Sequence, residues 1–159
     1  MLIVIDMQND FIDGALGTPE AEAIVEAVKD KIRSYPPADV IATMDTHEPD
    51  YLTTQEGQLL PVEHCIRGTD GWMLRPDIAA LLTEAAVYEK PTFGSTKLAE
   101  DLRERKGVEE IELITAHAIP DNKASGNNLR KNGFQYLLTK TEDWGLGAPT
   151  VSDVYTYDC

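Results

Sequence analysis

Apolar and polar positions alternate along this chain in blocks that change period. Leu2-Ile3-Val4-Ile5 is an unbroken β-prone run closed by Asp6, the pattern of a strand buried on both faces of a parallel sheet. Thr18 is placed to cap a helix, Pro19 suits its first position, and Ala21, Ile24, Val25, Val28 and Ile32 recur at helical spacing up to Pro36-Pro37. Val40-Ile41-Ala42-Thr43-Met44 reads as a second buried strand ending at Asp45. From Glu48 to Gly71 there is no clean period, and a long loop of this kind more often carries function than not.

Pro76 to Glu84 fits a short helix, and Ala86-Val87-Tyr88-Glu89 a short strand followed by Lys90. Ser95 can cap a helix running to about Lys106, where Gly107 stops it, and Glu110 to Ala116 supplies a fourth strand. Strands separated by helical segments predict the α/β class, with a doubly wound, mainly parallel sheet flanked by helices. Ligands of such sheets sit beyond the carboxyl ends of the strands. Asp6, Asp45 and Lys90 all fall at those ends.

Past Thr115 the character changes. Four of the five asparagines lie there, and residues 1–114 carry 10 Lys+Arg against 23 Asp+Glu while the remainder carries 4 against 5. Phe134 to Thr141 predicts a further strand, Asn122 to Gly133 reads as turn or loop, and Asp143 to Cys159 shows no clear element. A length of 159 residues suits a single domain over 1–159 with an atypical part from about 115.

The formal charge of −14 argues against nucleic-acid and anionic-membrane partners, since no local basic patch offsets it. The opening apolar run is too short for a signal h-region and lacks a basic n-region, and no stretch reaches eighteen apolar residues. A soluble, cytoplasmic protein is the expectation. Cys65 and Cys159 alone make no disulfide framework or CxxC metal ribbon.

Candidate chemistry gathers at the strand ends. In Asp45-x-His47 the alternation of side chains puts carboxylate and imidazole on one face, where both can approach a single cation, and His64 can close a third side. Three ligands leave a position open, as a catalytic or substrate-orienting metal requires. The same residues also fit loop histidines and an aspartate that caps a turn. Asp6 suits a general base, or a residue that caps the following turn or pairs with an arginine. Lys90 suits stabilisation of developing negative charge, or an ordinary solvated lysine. Phe11 suits an aromatic wall for a planar ring, or packing in the core. No phosphate-binding glycine loop is present.

Leu2 to Phe11, Asp45-Thr46-His47, Pro61 to Trp72 with its His64-Cys65-Ile66-Arg67-Gly68-Thr69, and Lys90 to Ser95 together resemble the isochorismatase-like cysteine hydrolases, in particular the nicotinamidase branch. The resemblance spans about residues 1–114. It implies a six-stranded, mainly parallel sheet and a Cys-Asp-Lys triad hydrolysing a small amide such as nicotinamide through an acyl-enzyme. By residue, it implies that Asp6 takes the thiol proton, that Lys90 is the family lysine, and that Phe11 lines the substrate wall. Asp45, His47 and His64 are then the ligands of a divalent metal, zinc first, with iron or manganese as alternatives. A homo-oligomer is expected on the same analogy.

One departure stands out. Where the family places its cysteine, after the fourth strand, this chain has Thr115-Ala116-His117-Ala118-Ile119-Pro120-Asp121-Asn122. Cys65 matches the residue beside the ligand histidine, and a carboxylate or imidazole from Asp121 or His117 is a poor or unusual amide nucleophile. Two functions are therefore expected in competition: a nicotinamidase-like amidohydrolase, and a non-catalytic relative that keeps a metal and small-ligand pocket.

Overall fold

The computed structural model of the protein describes residues 1–92 and 94–115 in full, and residues 135–142 and 150–156 as strand backbone. Strands β1 (Leu2–Ile5), β2 (Val40–Asp45), β3 (Ala86–Lys90) and β4 (Glu112–Thr115) form one parallel sheet in the order β3-β2-β1-β4. From β1 the chain steps outward to β2 and then β3, and it returns to place β4 on the other side of β1. The order of strands thus reverses beside β1, the kind of switch point where α/β sheets open a ligand crevice.

Both faces are covered. Leu2, Val4, Val40 and Ala42 pack with Ala21, Val25, Val28 and Ile32 of helices α2 (Pro19–Ala23) and α3 (Val25–Arg33), and with Ile78 of α5 (Pro76–Ala79). Ile3, Ile41 and Tyr88 pack with Leu98 and Leu102 of α6 (Thr96–Glu104) on the opposite face. Each fully buried aliphatic side chain contributes about 1.5–3 kcal/mol, so the continuous apolar runs of β1 and β2 follow from burial on two sides. Two short helices complete the set, α1 (Asn9–Ile12) and α4 (Gln55–Leu59).

Several boundaries differ from the sequence expectation. The helix expected from Thr18 to Pro36 is two helices: Thr18 Oγ1 accepts from the Ala21 N–H at 3.1 Å, the Ile24 N–H turns back to Glu22, and a fresh helix begins at Val25. Adjacent β-branched Ile24 and Val25 disfavour an unbroken helix there. Helix α5 stops at Ala79 rather than Glu84, and α6 stops at Glu104 rather than Lys106. The loop after Glu48 contains α4, too short to show a period.

The strand expected near Phe134 to Thr141 is β5 (Gln135–Glu142). The segment expected to lack an element holds β6 (Thr150–Thr156), antiparallel to β5. Those two strands form their own two-stranded ribbon rather than extending the parallel sheet. A connection over 143–149 is too short for the crossover of a dozen or more residues that parallel neighbours need, which accounts for the antiparallel pairing. The loop expected at Asn122 to Gly133 lies outside the described residues. Among the described residues, no helix is long and apolar enough to cross a membrane.

Candidate active site

Asp45 and Lys90 end neighbouring strands and are Cα partners in the β2–β3 register, so their side chains leave the sheet together. Thr43 shares their face two residues earlier. Asp6 follows β1 and, by simple alternation, its side chain would point away from Thr43, because Ile5 is the partner of Thr43. The backbone resolves this. Asp6 takes a left-handed conformation, φ 52°, which an aspartate tolerates better than most residues, and its carboxylate swings to the Thr43 face. Thr43 Oγ1 donates to Asp6 Oδ1 at 2.7 Å, and Lys90 Nζ donates to Asp6 Oδ2 at 2.7 Å.

Lys90 also reaches Asp45 Oδ1 at 3.4 Å. The other oxygen, Asp45 Oδ2, lies 3.0 Å from His47 Nε2 and 3.5 Å from His64 Nε2. One carboxylate therefore joins the Asp6–Lys90 pair to both imidazoles, and all five side chains are buried. Burial pushes the Asp45 carboxyl up, but His64, Lys90 and His47 outweigh it and hold the group below its ordinary range. Burial likewise opposes a charged Lys90, yet Asp6 and Asp45 keep it above the usual lysine value. A lysine so placed stays cationic.

The histidines are set by the loop between α4 and α5. His64 Nδ1 sits 2.8 Å from the Val62 carbonyl, which can only accept, so Nδ1 carries a proton and Nε2 faces the centre. The backbone of His47 is pinned on both sides: its N–H donates to the Cys65 carbonyl at 2.9 Å, and its carbonyl accepts from Arg67 at 2.8 Å. Cys65 holds φ 48°, an uncommon conformation for a residue of its kind, with its N–H donated to Asp10 Oδ2 at 2.7 Å. Behind Asp10 stands Gly71, where any Cβ would run into the Asp10 carboxylate.

Asp45, His47 and His64 each offer a ligand atom within 4.8 Å of the other two. The fit to a cation has a sharper test. His47 Nε2 is buried without a hydrogen bond, despite the nearby carboxylate oxygen, and buried polar nitrogens are seldom left so unless something else binds them. His64 is shifted above its ordinary value, since Asp45 and the Val62 carbonyl overcome the effect of burial. A proton and a cation would compete for that same nitrogen. Two imidazoles and one carboxylate suit zinc or iron better than magnesium or calcium.

The expected site residues thus come together: Asp6, Lys90, Asp45, His47 and His64 form one cluster, and Phe11, buried in α1, sets its ring centroid 5.5 Å from that of His64 in an edge-on arrangement. Thr43, Asp10 and Tyr51 escaped the sequence reading. Tyr51 is fully buried with its ring centroid 4.5 Å from that of His47 and 5.0 Å from that of His64, and its hydroxyl donates to Leu60. Nothing in a single sequence marks these three, because each acts across a tertiary contact.

The family profile of the isochorismatase domain matches residues 1–114. The chain belongs to the isochorismatase family. It is 29% identical over 176 residues to the nicotinamidase/pyrazinamidase of Mycobacterium tuberculosis, spanning 94% of this chain and 88% of that protein. The crystal structure of pyrazinamidase from Pyrococcus horikoshii in complex with zinc superposes with a TM-score of 0.61 at 28% identity, covering 85% of this chain and 80% of the other. Nicotinamidase from Bacillus subtilis gives 0.58 at 28% identity, with 84% and 80% covered. The relatives are amidohydrolases, and the parallel sheet flanked by helices is theirs as well.

Within this isochorismatase domain, Cys65 is the one free cysteine among the described residues, and it is fully buried. Burial, with Asp45, Asp10 and Asp6 close by, pushes its thiol well above the ordinary range. An activated nucleophile shows the opposite shift.

Proposed function

We propose that this chain binds a divalent cation, zinc first, through Asp45, His47 and His64, and hydrolyses a small planar amide of the nicotinamide or pyrazinamide kind to a carboxylate and ammonia. The observation that carries the reading is the shared carboxylate: Asp45 faces Lys90 with one oxygen and both imidazoles with the other. Cation ligands and proton-handling groups are then one structure. When bound, the cation supplies an open coordination position that orients a ring nitrogen or polarises a ligand oxygen.

The chain's own groups do the rest. Asp6, shielded from water and anchored by Thr43, accepts the proton of the attacking group. Lys90, kept cationic, opposes the negative charge that develops on the amide oxygen. Phe11 borders His64 and gives the pocket an apolar side for a flat ring. The residues involved are drawn from 1–90 within a single domain over 1–159.

A second reading has its own observation. The family position for a cysteine holds other residues, and burial pushes the Cys65 thiol up, away from the thiolate form that attacks. On that reading the protein is a non-catalytic relative that keeps the cation and small-ligand pocket. Ammonia release from nicotinamide and pyrazinamide by the zinc-loaded protein separates the two. Release that disappears in Asp6→Ala and persists in Cys65→Ser supports the hydrolase. Its absence, with zinc still bound by the wild type and lost in His47→Ala, establishes the binding protein instead.

A further inference from the structure

We propose that Gln8 is a positioning residue for Asp45, and through it for the cation ligands and Lys90; the proposal rests on the cation-binding reading above. Gln8 is fully buried, yet its side-chain amide is engaged on three sides. Nε2 donates to the Asp45 carbonyl at 2.8 Å and to the Trp72 carbonyl at 2.8 Å, and Oε1 accepts from the Asp45 N–H at 2.7 Å.

The reason lies in where β1 ends. The last register pair of β1 and β2 is Ile5 with Thr43, and the Asp6 N–H still donates to the Thr43 carbonyl at 3.2 Å. Two residues on, the N–H and carbonyl of Asp45 point to the same side, where β1 has already turned away at Asp6. Thr46, the next residue, points the other way and donates to the Lys90 carbonyl on the β3 side. The Gln8 amide, planar and carrying donor and acceptor like a peptide group, takes the place of the missing strand. An apolar side chain here would leave two buried backbone groups of a cation ligand unpaired.

The clamp reaches further through Trp72. Its carbonyl holds the second Gln8 proton, and its indole N–H donates to Thr46 Oγ1 at 2.9 Å. The strand tip 45–47 is thereby held at each residue: Asp45 by Gln8, Thr46 by Trp72 and Lys90, and His47 by the backbone of Cys65 and Arg67. The Gln8 side chain hydrogen-bonds the backbone of Asp45 and Trp72, not the cation-facing atoms. Its effect is to fix the direction in which the Asp45 carboxylate is presented.

The test uses Gln8→Glu, which keeps size and acceptor but turns an oxygen toward two carbonyls, and Gln8→Met, which keeps size alone. Zinc affinity of the EDTA-stripped protein is measured by competition with a chelating dye, and the Co2+-loaded protein is read by its visible absorption. Val28→Ala, a deletion in the α3 core away from the strand tips, is the control for stability. Both Gln8 variants should lose about 10- to 100-fold in zinc affinity and alter the Co2+ bands while remaining folded, as changes behind a metal ligand do. Val28→Ala should lower the melting temperature and leave affinity and bands unchanged. Wild-type affinity in both Gln8 variants, an equal loss in Val28→Ala, or failure of both Gln8 variants to fold at any zinc concentration would overturn the positioning role. Failure of the wild-type chain itself to bind Zn2+ or Co2+ would instead remove the cation reading, and this proposal with it.

Discussion

Replacing Lys90 with Met removes the charge that touches both Asp6 and Asp45 while nearly conserving length and volume, so the cost is electrostatic rather than a cavity. The ammonium lies 2.7 Å from one carboxylate and 3.4 Å from the other, with side-chain exposures of 7% for Lys90, 11% for Asp6 and 8% for Asp45. Removing one partner from a buried ionic cluster leaves uncompensated charge and costs about 3–5 kcal/mol. That is a large part of the roughly 5–15 kcal/mol that holds a domain together. Adding Asp6→Asn should return part of the loss, because the amide oxygen still accepts from Thr43 and the stranded charge is gone. Urea unfolding of EDTA-treated protein at neutral pH would show a lowered midpoint with an unchanged slope. The double variant should be at least ~1.5 kcal/mol more stable than additivity of the two single changes allows. The sign with pH is also set. Lys90 is shifted above its ordinary 10.5, so its contribution is complete below that value and is lost as pH climbs through the folded one. A Lys90→Met cost under ~1 kcal/mol, or strict additivity with Asp6→Asn, would show that the buried charges are not coupled.

Tyr35 donates to Glu112 at 2.7 Å and ties the turn after α3 to β4; that bond, with burial, pushes its phenol up from 10.0 to about 12. The stabilisation it gives is complete below pH 10 and drains away as pH rises toward 12, so Tyr35→Phe should decline less over that window in pH-dependent unfolding. Parallel declines would contradict the assignment. Gly71→Ala forces a methyl into the Asp10 carboxylate that holds Cys65, and should cost about 1–3 kcal/mol in thermal or urea unfolding; an unchanged midpoint would show that the loop yields freely.

How far this could be read from residues alone depended on where the determining contacts lie. β1 and β2 were visible because burial on both faces demands continuous apolar runs, and the Thr18-Pro19 and Ser95 starts because capping is local chemistry. Asp45-x-His47 could be placed on one face by strand alternation. The split at Ile24 was hidden, since the core-facing positions keep their helical spacing across it. Helix α4 is a turn and a half and leaves no periodic trace. The rotation of Asp6 into the site follows from a left-handed backbone that alternation cannot anticipate. Gln8 pairs with Asp45, 37 residues away, and Cys65 with Asp10, 55 away, so neither partner carries a local sign of the bond.

The proposed cation sits between the tip of β2, which bears Asp45 and His47, and the loop bearing His64, beside the Asp6–Lys90 pair. Anomalous diffraction at the zinc edge from zinc-soaked crystals tests this placement most directly. A single strong peak is expected about 2.0–2.2 Å from an Asp45 carboxylate oxygen and from Nε2 of both His47 and His64. A zinc peak elsewhere on the chain, with those three side chains clear of it, would show that they are not cation ligands.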